Sequence, residues 1–436
     1  MKKYFLMMMT VLFPMLAGAQ EKHLFTLEDC IQYALDKNFN RQSLKLTEES
    51  YQVAYQQSKY ERLPTVSASL NENLSNSTKN TATEITTGGF KINGSYSLNA
   101  SVPVYQGGAI NSAIEQSRLQ KEQATHQTSQ YENELTIQIL QAFLSVLGNE
   151  ELLKYRSSVA EASREQLNQG KEQYRLGVIL ESDYLLFEAQ YANDQNNIVD
   201  TEITRNNNLL RLKNLLSINP AEDLQIVYPD LSAIIGMAVM PTQDRVVERA
   251  LAYLPDMKIG QYNVDIANTD IKLSKANYYP TVSLVAGIGT GHADFIGVGT
   301  QLNNRLNEQI GVTVSIPIFN RNRTKTSVAR SKISLRQAEL SLMQTELNIR
   351  QTVIQEYQDV VSAYNKYQVT DIRQDAYAKS FEAYRIQFNA GSITPVELLQ
   401  QQNNYISALN DYVQSKYGFM LKRKILDVYM GEAVGF

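Results

Sequence analysis

The chain writes the same passage twice, and that duplication limits what it can fold into more than any other feature. Pro64-Thr65-Val66-Ser67 returns as Pro280-Thr281-Val282-Ser283. Around it, the run from Asp29 through Ala34-Leu35 is echoed by the run from Asp244 through Ala250-Leu251. Val102-Pro103-Val104-Tyr105 is echoed by Ile316-Pro317-Ile318-Phe319, and residues 172–190 by 386–404. The four matches keep their order at offsets of 214 to 216 residues. Four matches in register mean a tandem duplication. The expected layout is a signal peptide at 1–19, a first repeat at 20–219, a linker at 220–241 and a second repeat at 242–431.

Within each repeat the clearest elements are strands. From Phe90 to Val104 every even position is apolar or small, while the odd positions up to Ser101 are Lys, Asn or Ser. A period of two sustained this long predicts a β-strand with one apolar and one wet face. Val66, Ala68 and Leu70 repeat the alternation, as do Val282, Leu284, Ala286 and Ile288, and then Ile310, Val312, Val314, Ile316 and Ile318. Four strands are therefore expected, at about 64–75, 90–104, 280–290 and 308–319, with polar hairpin loops at 75–89 and 290–307. Pro64, Pro103, Pro280 and Pro317 read as strand–helix junctions, because the residue before a proline is pushed out of the helical region. Tyr60, Tyr105, Tyr278, Tyr279 and Phe319 stand beside them, which puts an aromatic girdle at one end of the strands.

The helices are set by what is missing. No proline lies between Pro103 and Pro220, or between Pro317 and Pro395. A helix over about 111–176 would run ~100 Å at ~1.5 Å per residue, too long for an ordinary domain. Ile333, Leu340, Leu347, Ile354 and Val361 recur every seven residues, and so do Leu335, Leu342 and Ile349 on the opposite flank. One such seam pairs two helices; two seams predict a stave with a neighbour on each side. The strict seven-residue period predicts a left-handed supercoil.

Strands of about ten residues fit a tilted membrane crossing, and lipid accepts strands only in a closed barrel. Four cannot close one, so several chains must share a barrel. The N-terminus, 1-MKKYFLMMMTVLFPMLAGAQ-20, reads as an export signal cleaved before Gln20, and no later stretch is apolar enough for a membrane-spanning helix. The formal charge of −4, from 41 basic and 45 acidic residues, argues against a nucleic-acid partner. Cys30, the only cysteine, excludes an intrachain disulfide and is expected to be a buried thiol. His23, His126 and His292 are scattered, and Gly287-Ile288-Gly289-Thr290-Gly291 lacks both the third glycine and the crossover helix of a dinucleotide loop. No metal, cofactor or catalytic constellation is expected, and the chain is not expected to be an enzyme.

Taken together these residues resemble the TolC-like outer-membrane efflux proteins. The specific pieces are Pro103-Val-Tyr-Gln-Gly-Gly108, Ile316-Pro-Ile-Phe-Asn-Arg-Asn322, and Tyr174-Arg-Leu-Gly177 with Asp183-Tyr-Leu-Leu186 after it. The resemblance implies a mainly α chain with a transmembrane β part. Long antiparallel helices would form a periplasmic α-barrel, and four strands per chain would enter a shared 12-stranded β-barrel of a homotrimer. It further implies an outer-membrane exit duct, most of its length in the periplasm, joined by a periplasmic adaptor protein to an inner-membrane transporter of the RND or ABC type. Many relatives carry a lipid on an N-terminal cysteine; this chain departs from them, so its hold on outer-membrane lipid is expected to rest on the barrel. A type I protein-secretion duct is the alternative of the same fold. A periplasmic coiled coil with no pore is the alternative of another class, and the alternating segments argue against it.

The functional positions follow at the far end of the long helices. Gly177 and Gly391 suit the left-handed residue that ends a helix, and Ser182 and Thr394 suit N-caps of the returning helices. By resemblance, Arg175, Leu176, Gly177, Val178, Asn389, Ala390, Gly391 and Ser392 are the docking tips for the adaptor. Glu397, Gln400 and Asp183 are the candidates for a periplasmic gate. Thr394-Pro395-Val396-Glu397 is also a capping box with proline at the first helical position, which explains Glu397 without any gate.

Overall fold

The computed structural model describes residues 24–81, 84–229, 240–293 and 298–435, with the side chains of 77–89 left out. The expected signal peptide therefore lies outside the described residues, as does 230–239 of the expected linker. In chain order the elements are β1 (Leu24–Phe25), α1 (Leu27–Lys37), α2 (Phe39–Tyr60), β2 (Thr65–Thr81), β3 (Glu84–Gln106), α3 (Ala109–Arg175), α4 (Glu181–Leu216) and β4 (Gln225–Ile226). They continue with α5 (Gln243–Tyr253), α6 (Pro255–Ala276), β5 (Thr281–His292), α7 (Val298–Asn304), β6 (Asn307–Ser315), α8 (Arg323–Asn389) and α9 (Pro395–Tyr429). The duplication is plain in the lengths. α3 and α8 each have 67 residues, and α4 and α9 have 36 and 35. It persists at the turn from sheet to helix, where two successive left-handed residues fall at matching positions: Gly107 and Gly108 in the first repeat, Arg321 and Asn322 in the second.

The helices form a row. Near the sheet, α2 packs on α3, α3 on α6, and α6 on α8; further away, α4 packs on α3, α3 on α9, and α9 on α8. Only α3 and α8 run the full length. The main core sits halfway along them, where α1 and the ends of α4 and α9 close over Leu135, Ile139, Phe143 and Leu147 of α3. Cys30 is fully buried there, and burial pushes its thiol up to about 12. A second core joins α5 and α9 to Ile349, Val353 and Val360 of α8. In the expected linker, β4 pairs in parallel with β1 and ties the start of the first repeat to its end.

The sheet has the order β2-β3-β5-β6, antiparallel throughout, with β2 and β6 as open edges. Its strands differ from expectation in three ways. First, 75–81 and 84–89 are strand and not loop, because the β2–β3 ladder runs to Thr81↔Glu84. A two-stranded ribbon needs paired backbone rather than an apolar face, so alternation is a poor guide once both faces are wet. Second, 290–307 is not all loop: α7 lies in it, with Gln301 accepting from the Ala293 amide at 2.9 Å. Third, one proline is displaced from its junction, and the last strand is shorter than expected. Pro103 lies inside β3, where the register slips between Pro103 and Tyr105; a bulge takes up the donor that proline lacks. β6 stops at Ser315, so Pro317 lies in the connection to α8 while Ile316 and Ile318 stand outside the ladder. Pro64 and Pro280 do sit directly before β2 and β5.

Candidate functional site

At the far end of the row, each long helix ends in the same two hydrogen bonds. Val178 N–H reaches the Gln173 carbonyl and Gly177 N–H the Tyr174 carbonyl, both at 2.9 Å. Ser392 to Gln387 and Gly391 to Phe388 repeat this at 2.9 Å. This Schellman closure needs a left-handed residue, and Gly177 and Gly391 supply it at φ 74° and 73°. All eight docking-tip residues are exposed. Arg175 is held by Glu172 one turn back, and Asn389 accepts from the Gln169 amide at 3.2 Å, which links the two tips.

The returning helices begin differently. Thr394 caps α9: the Glu397 amide donates to its hydroxyl at 3.4 Å, and the Glu397 carboxylate accepts from the Thr394 amide at 2.8 Å. Hydrogen bonds donated by the Thr394 amide and, at 2.9 Å, by its hydroxyl hold the Glu397 carboxyl below its usual range. Ser182 is not a cap, because α4 starts one residue earlier and its N-cap is Leu180, the position equivalent to Thr394. Asp183, the counterpart of Glu397, is half-buried in that first turn, and Gln400 is exposed one turn beyond Glu397. The structure thus places Glu397 and Gln400 on one exposed helix face, and Asp183 on the neighbouring hairpin.

Two features here escaped the sequence. Behind the tips, Phe187 and Phe388 meet edge-on with centroids 5.6 Å apart, in a small core with Leu398 and Leu399. Gly170 makes room for it, since a Cβ there would lie 2.7 Å from the Phe187 ring. Further along, a buried polar knot joins α3, α4 and α9. Ser163 donates to Asp194, and the Gln402 amide donates to Ser163 at 2.6 Å. Burial raises the Asp194 carboxyl above its ordinary range, against the pull of Ser163, Gln190 and Arg156.

The flanks of the row are the third part of the site. Of the two seams on α8, Leu335, Leu342 and Ile349 turn inward, and Leu342 lies so close to α6 that a Cβ on Gly260 would sit 2.8 Å from it. The other seam is open over the part nearer the sheet, with Ile333 60% exposed and Leu340 53%, while Ile354 further along packs on the second core. At the opposite edge, α2 carries a matching open seam of Phe39, Leu46, Val53 and Tyr60, with Leu46 65% exposed. The sheet continues this pattern. Val66, Leu70, Leu74, Ile310, Val312 and Val314 are apolar and exposed.

A row of long helices continued by an open sheet with an apolar face is the build of a membrane channel. The sequence profile of outer membrane efflux proteins matches residues 30–217 and again 246–432. The chain belongs to the outer membrane efflux protein family, whose members are outer-membrane channels and not enzymes. It is 23% identical over 223 residues to outer membrane protein TolC of Escherichia coli (strain K12), covering 48% of this chain and 42% of that one. To toxin and drug export protein A of Aggregatibacter actinomycetemcomitans it is 25% identical over 183 residues, covering 41% and 36%. The matches thus span about two fifths of those relatives' own length. In fold, the structure of CusC aligns over 93% of this chain and 92% of that one, with a TM-score of 0.82 at 15% identity. The CmeC outer membrane channel of Campylobacter jejuni aligns over 93% and 85%, with a TM-score of 0.76 at 14% identity.

Proposed function

We propose that three copies of this chain close into a twelve-stranded barrel and a helical tunnel, the passive exit duct of a tripartite efflux system. The observation that carries this is the pair of open edges. Each protomer leaves one heptad seam exposed on α2 and one on α8, and these helices run in opposite directions. Phe39, Leu46 and Val53 therefore pair off in reverse order with Leu347, Leu340 and Ile333 of the next copy. A contact between two different faces generates a ring when its rotation closes, and the same step joins β2 of one copy to β6 of the next. Four strands fall short of a barrel, two copies reach the smallest closed size, and three give the twelve expected from family resemblance.

In this reading the repeats 20–219 and 242–431 each supply two strands and one hairpin. The exposed tips around Gly177 and Gly391 meet a periplasmic adaptor, and exposed Leu176, Val178 and Leu180 give it an apolar apex to grip. The adaptor couples the duct to an inner-membrane transporter of the RND or ABC type. Glu397 and Gln400, with Asp183 beside them, ring the closed entrance. The name of the Aggregatibacter relative, a toxin and drug export protein, keeps a type I protein-secretion duct as the second reading of the same fold.

Cysteines at Leu46 and Leu340 test the closure. With a thiol cross-linker of short reach, the double variant is expected to give a ladder ending at three chains, and each single variant no ladder. A ladder that stops at two, or none, overturns the trimer.

A further inference from the structure

The points where sheet meets helix carry a local excess of positive charge. In the eight residues on the helix side of Pro64, Pro103, Pro280 and Pro317 stand Lys59, Arg62, Lys272, Lys275, Arg321, Arg323 and Lys325, against the single acid Glu61. The whole chain has 41 basic and 45 acidic residues, so the local excess is not a matter of composition. All seven cations are exposed. Along the helices below, Arg164, Arg350 and Arg385 are each clasped by a glutamate one turn away. Among the described residues none of the seven at the junction is in a salt bridge, and only Lys272 faces a carboxylate, Glu115, which Arg118 already holds. Lys59 lies 4.1 Å over the Tyr55 ring and Arg62 donates to Asn111 at 2.9 Å, contacts that leave their charge uncompensated.

Arg321 adds a second, independent sign. It holds the left-handed conformation at φ 57°, at the position where the first repeat has Gly107. Glycine takes that conformation freely and arginine does not. The second repeat thus keeps a cation where the backbone favours its absence. Directly alongside are the exposed rings of Tyr60, Tyr278, Tyr279 and Phe319, the kind of girdle that settles at a membrane–water boundary.

We propose that this belt binds the phosphate headgroups of anionic phospholipids in the leaflet that faces the helical tunnel. Unpaired lysines and arginines just outside the hydrocarbon layer attract such headgroups, and the attraction is screened by salt. The belt fixes the depth at which the barrel sits, and so the height of the tunnel below it. The proposal rests on the sheet being embedded in lipid.

The test is native mass spectrometry of the full-length protein, purified with an equal mixture of phosphatidylglycerol and phosphatidylcholine. The parent is expected to retain severalfold more phosphatidylglycerol, with the preference falling as salt rises. Arg321→Gly, which relieves the backbone, is expected to lower that preference without loss of folding. The combined change Lys275→Gln, Arg321→Gly, Arg323→Gln and Lys325→Gln is expected to bring it to about even. Lys379→Gln with Arg385→Gln, far down the tunnel, is expected to leave it unchanged. An undiminished preference in the combined variant overturns the proposal, as does competition by inorganic phosphate, which would mark a site for free anions. A protein that retains neither lipid overturns the membrane reading beneath it.

Discussion

Glu397 shows how one side chain can be over-explained. Its carboxylate already has work, closing the capping box with Thr394, and that alone accounts for an acid at this position. Glutamine closes the same box without charge, so Glu397→Gln separates the two roles. If the acid gates the pore, single-channel recordings of this variant in planar bilayers will show weaker block by cations, with tip stability unchanged. If block persists, Glu397 is a helix cap. The cap itself is checked by Thr394→Ala, expected to cost about 1 kcal/mol. The capping box and the two glycine closures were readable from sequence because each lies within six residues of chain. Asp194, Ser163 and Gln402 were not, because nothing near any of them in sequence announces the other two. The structure gives that knot a pH dependence of definite sign. Burial raises the Asp194 pKa in the folded chain, so folding favours its proton. The stability it lends is full below the ordinary aspartate range and is lost as pH rises through the raised value. Urea midpoints are therefore expected to fall across that window, and Asp194→Asn to flatten that part of the fall.

At the scale of elements, the helices were legible and the strands only in part. A helix of 67 residues declares itself by absent prolines and a steady heptad. A strand declares itself by alternation only while one face is apolar. Beyond Leu74 and before Phe90 that contrast fades, yet the ladder continues to Thr81↔Glu84. Ser182 failed as a cap for a related reason: capping preference ranks residue types, but the Schellman turn before it had already fixed where α4 begins. The sheet also holds a row that no single strand reveals. Glu72, Gly94 and His292 stand opposite one another on β2, β3 and β5. His292 crosses the gap at Gly94 to meet the Glu72 carboxylate at 3.1 Å, and Tyr96 donates to the same carboxylate. A Cβ at Gly94 would fall inside contact distance of both partners. Gly94→Ala is thus expected to lose the row and to destabilise the sheet by about 1–3 kcal/mol, read as an earlier loss of β-sheet circular dichroism on heating.

The whole molecule is a machine of matched lengths. Two hairpins descended from one ancestor reach the same level only because α3 and α8 have kept equal counts, and the Phe187–Phe388 core can form only if they do. Length can therefore be varied independently of packing. Removing seven residues from α8 and seven from α9, between the second core and the tip, keeps every heptad seam in phase. It raises one tip by ~10 Å. Gln169 and Asn389, which touch across the tips at 3.2 Å, then separate. With cysteines at these two positions, a short thiol cross-linker is expected to join the hairpins in the parent and to fail in the one-sided deletion. Cys30, fully buried, will not compete for the reagent. The matching deletion in α3 and α4 is expected to restore the link in a shorter tunnel. Restoration distinguishes the matched-length account from simple damage, since a chain with twice as much removed can recover the contact only if the two hairpins measure themselves against each other.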